Sequence, residues 1–69
     1  MEYGILVAVS EGEHFQIVGA VDSRDEAQIL ADQYIAIGPE HGYVAPWEFQ
    51  IHRRGNGGAY TVIDHLKFA

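Results

Sequence analysis

The sequence predicts an α+β fold of order β-β-α-β-β: a four-stranded antiparallel sheet with one helix packed on one face. Three observations lead there. The stretch from Asp22 to Pro39 has helical periodicity with both ends signalled. Two runs of strand-like apolar residues precede it and two follow it. The connections within each pair are short and contain glycine, as hairpins require. With 69 residues, the chain is expected to form a single domain over 1–69.

Residues 3–10, YGILVAVS, read as the first strand. Tyr3, Ile5, Val7 and Val9 share one phase, and the other holds Gly4, Leu6, Ala8 and Ser10. A strand apolar on both faces belongs in the middle of a sheet. Residues 14–21 form the second, with Phe15, Ile17, Gly19 and Val21 in one phase. A three-residue connection, Glu11-Gly12-Glu13, sets Val7 opposite Ile17 and Val9 opposite Phe15. A two-residue loop would set Val7 opposite Gln16 and mix the faces. A one-residue slip flips every side chain, so the three-residue connection is predicted.

The helix follows at once. Ser23 stands at the N-cap with Glu26 three residues on, the spacing of a capping box. Asp25 and Glu26 put negative charge in the first turn, where the helix dipole favours it. Ala27, Leu30, Ala31, Tyr34, Ile35 and Ile37 fall on one face, and Gly38 is placed to end the helix in a left-handed conformation before Pro39. In the connection 39–46, Tyr43 and Val44 are expected to fold back onto the helix end. Residues 47–54, WEFQIHRR, alternate cleanly, with Trp47, Phe49 and Ile51 inward and Glu48, Gln50, His52 and Arg54 outward. After the turn Gly55-Asn56-Gly57-Gly58, the last strand runs over 59–68. Its Tyr60, Val62, Leu66 and Phe68 share a phase with Asp64. Strand orders 2-1-3-4 and 2-1-4-3 both suit a central first strand; the first keeps all neighbours antiparallel and is preferred.

Composition narrows the function classes. Ten acidic residues against four Lys and Arg give a formal charge of −6, which opposes sequence-independent nucleic-acid binding and adhesion to anionic membranes. There is no cysteine, so neither disulfides nor thiolate zinc sites stabilise the domain. The start is acidic, and the apolar run from Ile5 to Val9 is too short for a signal peptide or a membrane span, so a cytoplasmic location is expected. The GAVDSRDEA segment leading into the helix is accounted for by capping alone and points to no particular family.

The most site-like stretch is His52-Arg53-Arg54-Gly55-Asn56, a possible anion or small-ligand site, because arginine forks pair with oxyanions bidentately. Against it, no helix follows the glycines, so this is not a phosphate loop of the nucleotide-binding kind, and successive strand residues point to opposite faces. The competing account is a hairpin turn flanked by solubilising arginines. The four histidines, at 14, 41, 52 and 65, show neither helical i, i+4 pairing nor an H-x-H pair, so no metal is expected. Asp64 is the one carboxylate in an apolar phase: it requires a partner, with Arg53 and Tyr34 as candidates, or sits at a bulge where the phase slips. No nucleophile–base pair can be assembled, so no catalytic residues and no cofactor are expected.

The strongest functional indication is an uncovered sheet face. Leu6, Ala8, Val18, Ala20 and Ile63 are expected to point away from the helix, and contiguous exposed apolar surface commonly marks an interface. A short chain without disulfides gains stability by pairing. The expectation is a non-enzymatic protein-interaction module whose partner is a second copy, as a homodimer, or another protein. The runner-up is a small-ligand or anion-binding domain, or a minimal enzyme, built on the arginine–glycine turn.

Overall fold

The computed structural model describes residues 2–12, 14–41 and 46–66, and of Pro39 and Asn56 the backbone only. Strands β1 (Gly4–Ser10) and β2 (His14–Val21) form the first hairpin, helix α1 spans Arg24–Ile37, and β3 (Glu48–Arg54) and β4 (Tyr60–Leu66) form the second. The four strands make one antiparallel sheet in the order β2-β1-β3-β4. The α+β architecture and strand order are those read from the sequence, and Val7 pairs with Ile17 and Val9 with Phe15 as the three-residue connection requires. Glu13, Tyr43, Val44 and Phe68 lie outside the described residues.

The cap signals operate as chemistry demands. Ser23 is extended (φ −156°, ψ 166°), and its hydroxyl accepts the Glu26 N–H at 3.1 Å. The Glu26 carboxylate reaches back to accept the Asp22 N–H, also at 3.1 Å. The other end departs from expectation. Gly38 is right-handed (φ −53°, ψ −49°), its N–H donates to the Tyr34 carbonyl, and the chain tightens into a 3-10 turn over Gly38–His41.

The helix lies on the side of the sheet opposite to the one expected from β1. Its Ala27, Ala31 and Tyr34 close a cluster with Leu6, Ala8, Val21, Phe49, Ile51 and Leu66. The Tyr34 and Phe49 rings meet edge to face, with centroids 5.8 Å apart. Register enforces this choice. Phe49 and Ile51 face the helix, and β1 pairs Ala8 with Phe49 and Leu6 with Ile51, so the even residues of β1 go under the helix with them. Small residues favour it too, because Ala8, Gly19, Ala27 and Ala31 let the helix sit close. A Cβ added at Gly19 would already touch Leu30 Cδ1 at 3.7 Å.

Two bulges split the phases that looked uniform in the sequence. The β1–β2 register shifts between Leu6 and Val7, leaving Val18 as the extra residue, so that Gly19 and Val21 turn to the helix while Phe15 and Ile17 face away. The β3–β4 register shifts between Ile51 and His52, leaving Ile63 extra. Asp64 and Leu66 then turn to the helix while Tyr60 and Val62 face away. Trp47, expected inward, precedes β3 and is 72 % exposed.

Candidate functional site

The residues expected to form the uncovered face do not form it. Leu6 and Ala8 are buried beneath the helix, and Val18 and Ile63, the two bulged residues, are half-buried against the same cluster. Of the five, only Ala20, paired with Ile5, lies on the outer face. The outer face exists, but other residues build it. Phe15 and Ile17 of β2 stand 59 % and 72 % exposed and Val62 of β4 stands 42 % exposed. Between them run Ile5, Val7 and Val9 of β1, with Val7 and Val9 buried outside the helix-side cluster.

The β3–β4 half of that face is polar. The Glu48 carboxylate can only accept hydrogen bonds, so Gln50 turns its amide nitrogen to it at 3.0 Å and its amide oxygen to His52. His52 Nε2 therefore donates to Gln50, at 2.9 Å. The second Glu48 oxygen accepts from His65 Nδ1 at 3.0 Å. The two histidines thus end a chain of side chains centred on one carboxylate. Among the described residues no three His, Asp or Glu side chains are grouped to hold a metal ion.

Asp64 lies beside the β4 bulge, and its partner is neither Arg53 nor Tyr34. Arg24, in the first turn of α1, donates from Nε to Asp64 Oδ2 at 2.9 Å, and the His65 backbone N–H donates to Oδ1 at 2.8 Å. The His65 N–H, followed by Arg24, holds the Asp64 carboxyl below the usual aspartate value despite some desolvation. The aspartate is an ionised tie between β4 and the helix start, the opposite of a carboxyl kept protonated for acid catalysis. Tyr34 instead donates its hydroxyl to Gln16 at 2.9 Å, on the helix side.

At the other end of the sheet, where β1 begins and β3 ends, Glu2, Tyr3, Gly4, Ile5, His52, Arg53, Arg54 and Tyr60 surround a hollow of about 260 Å³. Alternation along β3 does not keep Arg53 and Arg54 apart, because here the sheet runs out and both line one hollow. Gly55 is not among its described lining residues; it enters the turn that Gly57 and Gly58 close at φ of 82° and 86°, and the side chain of Asn56 lies outside the described residues. Sequence reasoning missed Tyr3 and Tyr60. The signal for Tyr3 was the β1–β3 pairing, which sets Ile5 against His52.

Fold and surface together define a small hairpin–helix–hairpin domain with the helix on one sheet face and exposed Phe15, Ile17 and Val62 on the other. No family model, no curated protein and no solved structure matches the chain. No helix among the described residues is long and apolar enough to cross a membrane.

Proposed function

We propose that this protein is a non-enzymatic interaction module that pairs with a second copy of itself through the outer sheet face. The observation that carries the reading is the exposure of Phe15 and Ile17 on β2, at 59 % and 72 %. Three features of the surface support it. Around the β2 edge lies a groove beside α1 of mixed character, in which Ile17, Val18, Leu30 and Ile37 alternate with Gln16, Gln33 and Tyr34. Strand β2, HFQIVGAV, is an edge strand among the described residues and carries no Pro, Lys or acidic residue, so that only the bulge at Val18 interrupts its edge. Charge opposes pairing of two −6 chains least through this face, because Asp22, Asp25, Glu26, Asp32 and Glu40 lie on or beside α1 and stay apart when the outer faces meet.

Size sets the strength. Strands ~4.8 Å apart with ~3.3 Å per residue give a face roughly 19 by 23 Å. Only its β1–β2 half is apolar, short of the ~800 Å² per partner of a standard interface. The expected dimer is therefore weak and concentration-dependent. The proposal includes a cytoplasmic location, supported by the lack of any disulfide to staple so small a domain.

Sedimentation equilibrium over a wide concentration range tests the reading. The wild-type chain is expected to approach twice its monomer mass, and Ile17→Glu to remain a monomer with an unchanged circular dichroism spectrum. A wild-type chain that stays monomeric at its solubility limit overturns self-association and leaves the face to a different protein.

A further inference from the structure

The hollow at the end of the sheet gathers two guanidiniums that form no ion pair among the described residues. The protein has ten acidic residues and only four Lys and Arg. Arg24 is committed to Asp64, and Lys67 lies outside the described residues. Arg53 and Arg54 both line the hollow, and among the described residues neither has a carboxylate within ion-pair distance. In a chain with this excess of acid, two unpaired guanidiniums around one hollow make it an anion site by charge.

Arg53 is held in place, and both side chains still have donors to offer. Arg53 Nε donates to the Tyr3 carbonyl at 3.3 Å, and its guanidinium lies over the Tyr3 ring, 5.5 Å from the centroid. One of five N–H groups is used, and the rest remain for a ligand. Arg54 lies along Gly58, where an added Cβ would stand 3.4 Å from Nη2. The glycine both adopts the φ of +86° that the turn needs and leaves room for the guanidinium.

We propose that this hollow binds a small phosphate monoester as its dianion, held by Arg53 and Arg54, with the ester group beside Tyr60. The two guanidiniums outweigh the single Glu2 carboxylate among the described lining residues, and arginine forks match phosphate oxygens bidentately, with more oxygens to engage on a phosphate than on a carboxylate. Glu2, the one acid in the lining, makes no ion pair with either arginine and disfavours ligands lying on its side. The ~260 Å³ volume lies just below the usual range for ligand pockets, which suits a phosphate with one small ring better than a large ligand. The tyrosine, half-exposed at 51 %, presents a surface on which such a ring can lie.

The test is an NMR titration of the isotope-labelled full chain with phenyl phosphate, above the second phosphate pKa of about 6. The Nε–Hε resonances of Arg53 and Arg54 are expected to move and saturate while that of Arg24 stays fixed. Orthophosphate is expected to bind several-fold more weakly. Arg53→Gln and Arg54→Gln should each weaken binding roughly tenfold, and Arg54→Lys, which keeps the charge but loses the fork, should also weaken it. Shifts that never saturate, that move Arg24 equally, or that sodium chloride at matched ionic strength reproduces overturn the site. Equal affinity for orthophosphate and phenyl phosphate overturns the ester and leaves a site for the inorganic ion.

Discussion

Under the helix, Leu6, Phe49, Ile51 and Leu66 are at most 2 % exposed, and the polar contacts of that side, Arg24 with Asp64 and Tyr34 with Gln16, join neighbouring elements. On the opposite side Phe15 and Ile17 stand open on β2, while β3 and β4 carry a chain of hydrogen-bonded side chains running outward from Glu48. The same four strands thus support one face finished as a core and one left half apolar and half polar. The difference separates two uses of apolar surface: the first makes the chain fold, and the second is free to be used by something else. Mutations on the two faces should therefore fail in different ways.

The largest effect is expected from Phe49→Ala. Phe49 is 1 % exposed and packed on the Tyr34 ring, and removing a buried phenyl costs about 3–5 kcal/mol. That is a large share of the ~5–15 kcal/mol that holds a typical domain together. Urea denaturation should show a population already partly unfolded without denaturant. Ile17→Ser on the outer face should stay within about 0.5 kcal/mol of wild type in the same measurement and lose self-association instead. If both variants lost stability alike, the outer face would be a second core and the contrast between the faces would be gone.

A smaller but sharper effect is expected from Gly4→Ala. A Cβ at Gly4 would stand 2.6 Å from the His52 carbonyl oxygen and 2.8 Å from Ile51 Cγ2, so β1 and β3 must move apart to admit it. The backbone oxygen cannot rotate away as a side chain would. A loss of about 1–3 kcal/mol follows, read as a lower urea midpoint with an unchanged slope. Because Gly4 also lines the hollow at the sheet end, the same variant should disturb the Arg53 resonances, whereas Phe49→Ala leaves that lining intact wherever the chain remains folded.

What the sequence made legible follows from how local each signal is. The helix start is written in Ser23 and Glu26, and the first hairpin in the phases of Val7, Val9, Phe15 and Ile17, all within a few residues of one another. The side taken by the helix was not legible from β1, whose two faces are both apolar; it depends on pairing with β3, some forty residues away, where Phe49 and Ile51 settle it. The bulges were partly legible: Asp64 in an apolar phase pointed to the slip that leaves Ile63 extra, and Gly19, an isolated glycine inside a strand, stands beside the slip at Val18; each bulge turns half of an edge strand over. The candidate interface moved with them, from Leu6, Ala8, Val18 and Ile63 to Phe15, Ile17 and Val62. Arg53 and Arg54 were legible as an unusual pair but not as a converging one, since strand alternation says nothing about where a sheet ends.

The smallest effect concerns one of the two side-chain contacts that leave β4 in opposite directions. Asp64 turns to the helix side and meets Arg24, and His65, the next residue, turns outward to Glu48. The Asp64 carboxyl is held below the ordinary aspartate value of 3.8 by the His65 N–H and then by Arg24. A folded-state pKa depressed in this way favours the folded state above the unfolded value, and the advantage disappears as pH falls through the folded one. The Asp64 contribution is thus fully present near neutrality and is lost only below about pH 4. Asp64→Asn keeps an oxygen to accept the His65 N–H but removes the charge facing Arg24. Urea midpoints for this variant should lie slightly below wild type near neutrality and converge with it in strong acid. The gap stays small because both side chains are partly exposed, and exposed ion pairs contribute little. A gap that persisted unchanged into strong acid would mean that the tie between β4 and the helix start rests on packing rather than on the charge of Asp64.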